Sequence, residues 1–344
     1  MVPENLEIFA YIVEGLLVVA ASLPVALVIF FSSKFKSARE FTFIGGLCLA
    51  DSIYGLAYFT AGAARTHLHS TGQDGSPRTL FDCYWLPWMF LSFIGYQSTA
   101  VMTLLVSLDR LVAAYFPTWH LNVMTQRKKT FIVVGIFSII LSTAPLVWYI
   151  QATNAESSQT MAAECHVPEG VVSQLWSFVL CFRIVTITAS CLLCLLIAKK
   201  LREITAKNAQ GQKSQLSKHK KLVKLTVTIA LTTAISLVFV VLPDVIFLFN
   251  IANLASKYHL VFYLMSLTNC ILNVIVYNFR HRELRRAVLV TMCHCLGRKD
   301  AKVSAGKRVL FSTSTSIDQP STTTIVAMKR STKYQTAINQ ILRR

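Results

Sequence analysis

Long uninterrupted apolar runs alternate with short polar segments along this chain, and seven of the runs are long enough for a helix to cross a bilayer. They fall near residues 8–31, 41–64, 84–114, 131–151, 174–198, 225–249 and 258–279, where crossing takes about 20 helical residues. The third exceeds that need, which predicts a tilted, central helix or one that runs on into water. Pro117 is placed to stop it. After the seventh run, Arg280, Arg282, Arg285 and Arg286 begin a basic amphipathic segment of the kind that lies along a membrane surface. From residue 296 the chain is rich in Lys, Arg, Ser and Thr and poor in aromatics, with too little apolar surface for a core. The pattern predicts an all-α membrane protein. Its parts are a seven-transmembrane helix bundle with a short amphipathic eighth helix over residues 1–295, and a disordered cytoplasmic tail over 296–344.

Composition narrows the class. With 54% hydrophobic and 15% charged residues and a mean hydropathy of +0.53, the chain is too apolar for a soluble domain of 344 residues. A net charge of +18 would suit a nucleic-acid binder, but the basic residues stand between and after the apolar runs and not along one face with aromatics. No nucleic-acid partner is expected; the lipid bilayer is. Three basic residues follow the first run (Lys34, Lys36, Arg39), three follow the third (Arg127, Lys128, Lys129), nine lie in 199–224 and fourteen run from Arg280 onward. The opposite side has Arg65, Arg78 and Lys257. Positive charge stays on the cytoplasmic side, so the N-terminus is expected outside the plasma membrane and the tail inside. MVPENLEIFA has no positive n-region and no small-residue cleavage site, so the first run is expected to remain as a span. Nine Cys without a CxxC…HxxxH arrangement argue against a metal or redox motif.

Charges inside such runs need a reason, because an ionised side chain at the bilayer centre costs about 2.5–3.5 kcal/mol on insertion scales. Asp109 and Arg110, within VMTLLVSLDRLVAAYFP, fit either an ion pair at a membrane end or a switch facing the bundle interior. Asp51 in the second run should face the bundle and meet polar partners or a cation. A sodium ion held by Asp51, Thr99, Asn269 and Asn273 stands beside water-filled polar packing as a reading. Asn269 and Asn273 share a helix face, which Tyr277 continues. Arg183 in the fifth run and Asp244 in the sixth either neutralise each other or serve a polar or anionic ligand. Pro243, just before Asp244, frees a carbonyl and lets the sixth helix pivot. Cys83 and Cys165 fit a disulfide on the outer face, or two free thiols. Cys293 and Cys295 are candidates for palmitoylation. STSTS at 312–316 and STTT at 321–324 are candidates for phosphorylation.

Taken in order, these residues resemble the rhodopsin-like, class A, G-protein-coupled receptors across nearly all of residues 1–295. Asp51 stands within LCLAD; Cys83 and Cys165 resemble the family's outer disulfide; Asp109-Arg110-Leu111 followed by Pro117 looks like its Asp-Arg-Tyr segment. Pro243 resembles the Pro of the sixth span, and Asn273-Val-Ile-Val-Tyr277 looks like Asn-Pro-x-x-Tyr. The texture of CYW…YQSTAVMTLLVSLDRLVAAYFP and CHVPE…QLWS is similar to nematode serpentine chemosensory receptors.

The resemblance implies an extracellular small chemosensory molecule or peptide as ligand, and a heterotrimeric G protein as partner. It gives Asp109, Arg110, Asn273 and Tyr277 to the switch, and the tail to arrestin and a receptor kinase. Matched to the family's pocket, Ser92, Phe93, Tyr96, Arg183, Asp244, Phe247, His259 and Tyr263 line the ligand site. No cofactor is implied beyond the sodium ion. There are departures: Pro24 stands where the span-one Asn is expected, Val241 replaces the span-six Trp, Val274 replaces the span-seven Pro, and Val223 lies where some members carry an acidic partner for the switch Arg. Ser92 at the amine-binding position disfavours an amine, and Leu267 at the Schiff-base position disfavours retinal. A multi-pass channel or secondary transporter is the competing class; it predicts repeats, matched broken helices or a continuous polar file, and none is visible. An enzyme would need a nucleophile with its base, a metal-ligand cluster or a Gly-rich phosphate loop, none of which is visible.

Overall fold

Backbone groups in hydrocarbon must satisfy one another, so long apolar runs fold as helices, and the computed structural model bears this out. It describes residues 4–32, 35, 40–73, 76–154, 160–166, 170–208 and 216–295. Lys34, Lys36 and Arg39, the segment 209–215, and the Ser/Thr clusters at 312–316 and 321–324 lie outside the described residues, as do the side chains of Cys293 and Cys295. Among the described residues seven helices are long and apolar enough to span a membrane. Residues 4–292 belong to one compact unit; of the second, only the last turn of a helix, 293–295, is described.

The first two spans are α1 (Glu4–Phe31) and α2 (Thr42–Thr71). They cross closely because Gly15 and Gly55 face each other. A Cβ on Gly15 would stand 2.6 Å from Phe59 N and 2.8 Å from Gly55 O, both backbone atoms that cannot yield. Without a hydrophobic drive between helices in lipid, such small-residue contacts carry association. Gly15→Ala is therefore expected to destabilise the protein by about 1–3 kcal/mol through overpacking, read as a lowered melting midpoint in detergent; an unchanged midpoint would refute the close crossing. The most enclosed span is α2, not the third, its best window being 78% buried against 56% for the third. Its run of Gly and Ala lets neighbours crowd in on every side.

Strand β1 (Pro77–Thr79) pairs antiparallel with β2 (Thr160–Ala162), Arg78 opposite Met161. Between β1 and the third span lies a separate short helix, α3 (Leu80–Tyr84), capped by the Thr79 hydroxyl accepting from Asp82 N at 3.1 Å. The third span, α4, runs Pro87–Tyr115. The expected start at 84 is thus corrected: Leu86 precedes a proline and adopts an extended ψ of 136°, the conformation that ring forces on its predecessor. Cys83 consequently sits on α3 and not on the span. Pro117 does end α4, opening α5 (Pro117–Val123), and α6 (Gln126–Thr153) is the fourth span.

The fifth span, α7, covers Ser173–Asn208. Its Cys191 and Cys194 have CxxC spacing, but Cys194 is buried in a polar seam beside Ser107 (3.6 Å) and Thr233 (3.7 Å), a packing role. The sixth span comprises α8 (Leu216–Ser236), a π-helical turn (Leu237–Val241) and α9 (Leu242–Phe249). Leu242 N bonds Leu237 O, five residues back, just before Pro243 removes a donor, and π turns and prolines are the usual causes of a bend. A 3₁₀ turn (Ile251–Asn253) and α10 (Leu254–Lys257) lead to the seventh span, α11 (His259–Arg280). The last helix, α12 (Arg282–Cys295), buries Leu284 and Val288 in the cluster that also holds Val25, Ile29 and Tyr277, while Arg282, Arg285 and Arg286 stay exposed.

Candidate functional site

Toward the end of α4, at the end of the bundle away from the disulfide, Asp109 gathers three basic side chains. It is ion-paired with Arg110, stands 2.9 Å from His120 Nε2, and lies 2.5 Å from Lys129 Nζ, the last two contacts both through Oδ1. His120 comes from α5 and Lys129 from the first turn of α6, so one carboxylate ties three elements. Lys129 is fully buried, its ammonium 5.1 Å from the centre of the Phe43 ring. Arg110, 4% exposed, also donates to the Glu40 carbonyl at 3.1 Å. Arg110 and Lys129 outnumber the one carboxylate even with His120 neutral, so this end keeps net positive charge. Val223, at the position noted for an acidic partner, packs instead against an apolar cluster of Ala114, Ile197 and Leu201.

From charge counting, Lys129 is a loop residue like Arg127 and Lys128; the structure places it in the bundle instead. A cap signal marks the difference: Thr125 accepts from Lys128 N, which starts α6 at Gln126 and turns Lys129 inward while Arg127 and Lys128 stay exposed. His120 carries no comparable signal, since nothing about a lone histidine in a short amphipathic stretch marks its partner.

In the middle of the bundle a cavity of about 20 Å³, room for one water or a bare cation, is lined by Asp51, Thr99, Thr103, Arg183, Ser236, Asn269 and Asn273, among others. Asp51, Thr99, Asn269 and Asn273 are thus brought together as expected from their positions. Ser236 donates to Asn269 Oδ1 at 3.0 Å, and Thr99 donates to Gly95 O at 2.9 Å. Asp51 faces Cys270 and Asn273, and among the described residues both its oxygens and Asn273 Oδ1 are buried short of full hydrogen bonding. Arg183 also lines the cavity but is ion-paired with Asp244, so among the described residues two carboxylates share one guanidinium. Oxygen donors around an unmatched carboxylate suit a hard monovalent cation. Tyr277 is fully buried below, its hydroxyl facing Thr232.

Toward the disulfide end, Arg183 Nε lies 3.0 Å from Asp244 Oδ2, Arg183 donates to Ser266 at 3.3 Å, and its guanidinium stacks 4.3 Å from the centre of the Tyr96 ring. The pair joins α7 to α9 directly beyond the π turn and Pro243. Above it is an aromatic layer: Tyr54, Tyr58 and Tyr96 share hydroxyl contacts of 3.2 Å, and Phe247 stacks on Tyr263 at 5.3 Å. Phe93 belongs to the same buried cluster. Of the eight residues placed at the pocket, Ser92 is buried on α4 but makes none of these contacts, and His259 stands at the rim, its side chain 40% exposed and 3.2 Å from Glu7. Two further residues join the site without any motif to announce them. Trp176 packs against Tyr96 at 5.6 Å, and Glu14 accepts from Thr268 at 2.7 Å across α1 and α11.

Cys83 and Cys165 are disulfide-bonded. A bridge between residues 82 apart removes chain entropy equivalent to about 4.5 kcal/mol in the loop-closure account. It anchors the segment after β2 to α3, just ahead of the third span.

A sequence model described as 7 transmembrane receptor (rhodopsin family) matches residues 22–277, from the middle of α1 to Tyr277. Among curated proteins the chain finds no match.

Proposed function

Because the chain belongs to the rhodopsin family of seven-transmembrane receptors, we propose that it turns binding of an extracellular ligand, a small chemosensory molecule or a peptide, into activation of a heterotrimeric G protein. The observation that carries this reading is the Asp109 clamp. Arg110 is held, nearly buried, at one end of the bundle, while the sixth span carries a π turn and Pro243 about which its α8 half can swing. The ligand works at the other end, where Arg183–Asp244 straps α7 to α9 just past that hinge. Weakening the strap frees the hinge; α8 moves outward; Arg110 becomes reachable for the carboxy-terminal helix of a G-protein α-subunit. Asn273 and Tyr277 lie on the path between the two ends.

In this reading the disulfide end and the N-terminus face outward and the Asp109 end faces the cytoplasm, in line with the charge bias of the loops. The basic face of α12 then lies along the inner leaflet as a short eighth helix, and the tail serves arrestin and a receptor kinase. The test is agonist-dependent nucleotide exchange on purified G protein, run with a ligand library on the intact chain and on Arg110→Ala. Substrate-driven current or uptake without exchange would overturn the proposal.

Sodium at Asp51 would hold the bundle in the clamped state, with Thr99, Asn269 and Asn273 as the remaining oxygen donors. A cation tenfold above its dissociation constant adds about 1.4 kcal/mol, a few degrees in midpoint at this chain length. The purified receptor is expected to melt a few degrees higher in sodium chloride than in choline chloride, and Asp51→Asn to erase the difference. Equal midpoints in the two salts for the intact chain would exclude the ion.

A further inference from the structure

At the rim of the disulfide end lies a second polar network that the signalling reading does not use. Arg65, near the end of α2 and 5% exposed, stacks 5.2 Å from the centre of the Tyr11 ring and places Nη2 3.1 Å from His166 Nδ1. His166 directly follows the disulfide-bonded Cys165, and its Nε2 lies 3.1 Å from Glu164 Oε2. Beside it, ring centres 6.3 Å apart, is His259 at the start of α11, which faces Glu7 of α1 at 3.2 Å. Among the described residues the groups facing His166 are therefore Arg65 from α2, Glu164 from its own segment and His259 from α11, with Tyr11 and Glu7 of α1 behind them.

Donor and acceptor chemistry assigns the proton. A guanidinium can only donate, so Nδ1 of His166 must accept from Arg65, and Nε2 carries the hydrogen that it donates to Glu164. Neutral His166 is thus a latch between α2 and the disulfide-anchored segment. A second proton has one place to go, Nδ1, where it would set N–H against N–H, and cation against cation. The bond to Arg65 is lost while that to Glu164 is strengthened. A charged His259 at 6.3 Å adds like-charge repulsion. Arg65 Nε has no hydrogen-bond partner among the described residues, and apart from its contact with Tyr11 the bond to His166 is the one its guanidinium stands to lose.

We propose that extracellular protons are a ligand of this receptor, bound at His166 Nδ1, and that their binding unlatches the Cys165–His166 segment from Arg65 and raises signalling. Histidine is the side chain that changes charge between about pH 5 and 8, so mild acidification is the stimulus. The signalling half rests on the G-protein reading; the proton site does not.

Two readouts separate them, both on the full chain in nanodiscs titrated from about pH 8 to about pH 5.5. Histidine-labelled receptor reports ring protonation by nitrogen resonance, the His166 signal being the one lost in His166→Gln, and agonist-free nucleotide exchange reports signalling. His166 should pass from the Nε2–H tautomer to the doubly protonated ring while exchange rises about fivefold, the lower end of usual allosteric coupling. Glutamine offers one acceptor and one donor, so His166→Gln should stay at the low rate throughout. Arg65→Met, lacking the latch, should be raised and flat. A His166 ring that stays neutral across the range overturns the site, and a His166→Gln receptor that responds like the intact chain overturns the latch. If no variant, Asp109→Asn included, drives exchange, the G-protein reading has failed and the resonance titration alone decides the proton site.

Discussion

Arg183→Met alone should cost the folded receptor about 3–5 kcal/mol, Asp244→Leu alone about as much, and the double variant far less than their sum. Each group is nearly absent from solvent, at 3% exposure, and each is the other's ion-pair partner. Removing one leaves a bare charge among apolar helices; removing both replaces the pair with packing. The two helices it joins are α7 and α9, and the pair sits one residue past Pro243. The Arg183→Met receptor that does fold should therefore also show raised agonist-free signalling, since nothing then straps the far half of the sixth span. Melting midpoints of the four receptors give the coupling energy by a double-mutant cycle. Strictly additive losses would mean that Arg183 is held by Tyr96 and Ser266 and not by Asp244.

The seven spans are legible in the sequence because hydrocarbon enforces a simple rule: an apolar run of about 20 residues or more satisfies its backbone as a membrane-crossing helix. Boundaries are less so. The break at Trp85–Leu86 follows from Pro87, but CYWLPWM reads as one apolar stretch unless the pre-proline restriction is applied. The disulfide, the Asp51 cavity and the juxtaposition of Arg183 with Asp244 follow from position along spans plus charge logic, because lone polar groups in lipid have few solutions. What stays hidden are contacts with no periodicity behind them. Lys129 reads as one of three basic loop residues until the helix start is fixed, and His120 and Arg65 carry no mark of the carboxylate or imidazole they meet. Their partners lie 11 and 101 residues away along the chain.

Asp109→Asn and Arg110→Ala should move signalling in opposite directions by the largest factors of any substitution in the chain. Asp109 is the one carboxylate that Arg110, His120 and Lys129 share. Neutralising it leaves the fully buried Lys129 with a neutral amide in place of its carboxylate and leaves Arg110, among the described residues, with the Glu40 carbonyl to hold it. Each 1.4 kcal/mol removed from the clamped state raises the open fraction about tenfold while that fraction is small. Loss of one charge-assisted contact, worth about 1.5–3 kcal/mol, should therefore lift agonist-free exchange about tenfold or more. Arg110→Ala opens the same clamp but takes away the group the G protein is proposed to meet. Exchange should then fall to the rate without receptor, agonist or none, while ligand binding at the distant aromatic layer persists. Because both variants loosen the same cluster, a mere folding defect would push both the same way. Opposite signs, measured at matched receptor number, identify Arg110 as the contact and Asp109 as its restraint; equal losses in the two would reduce the cluster to a structural tie between α4, α5 and α6.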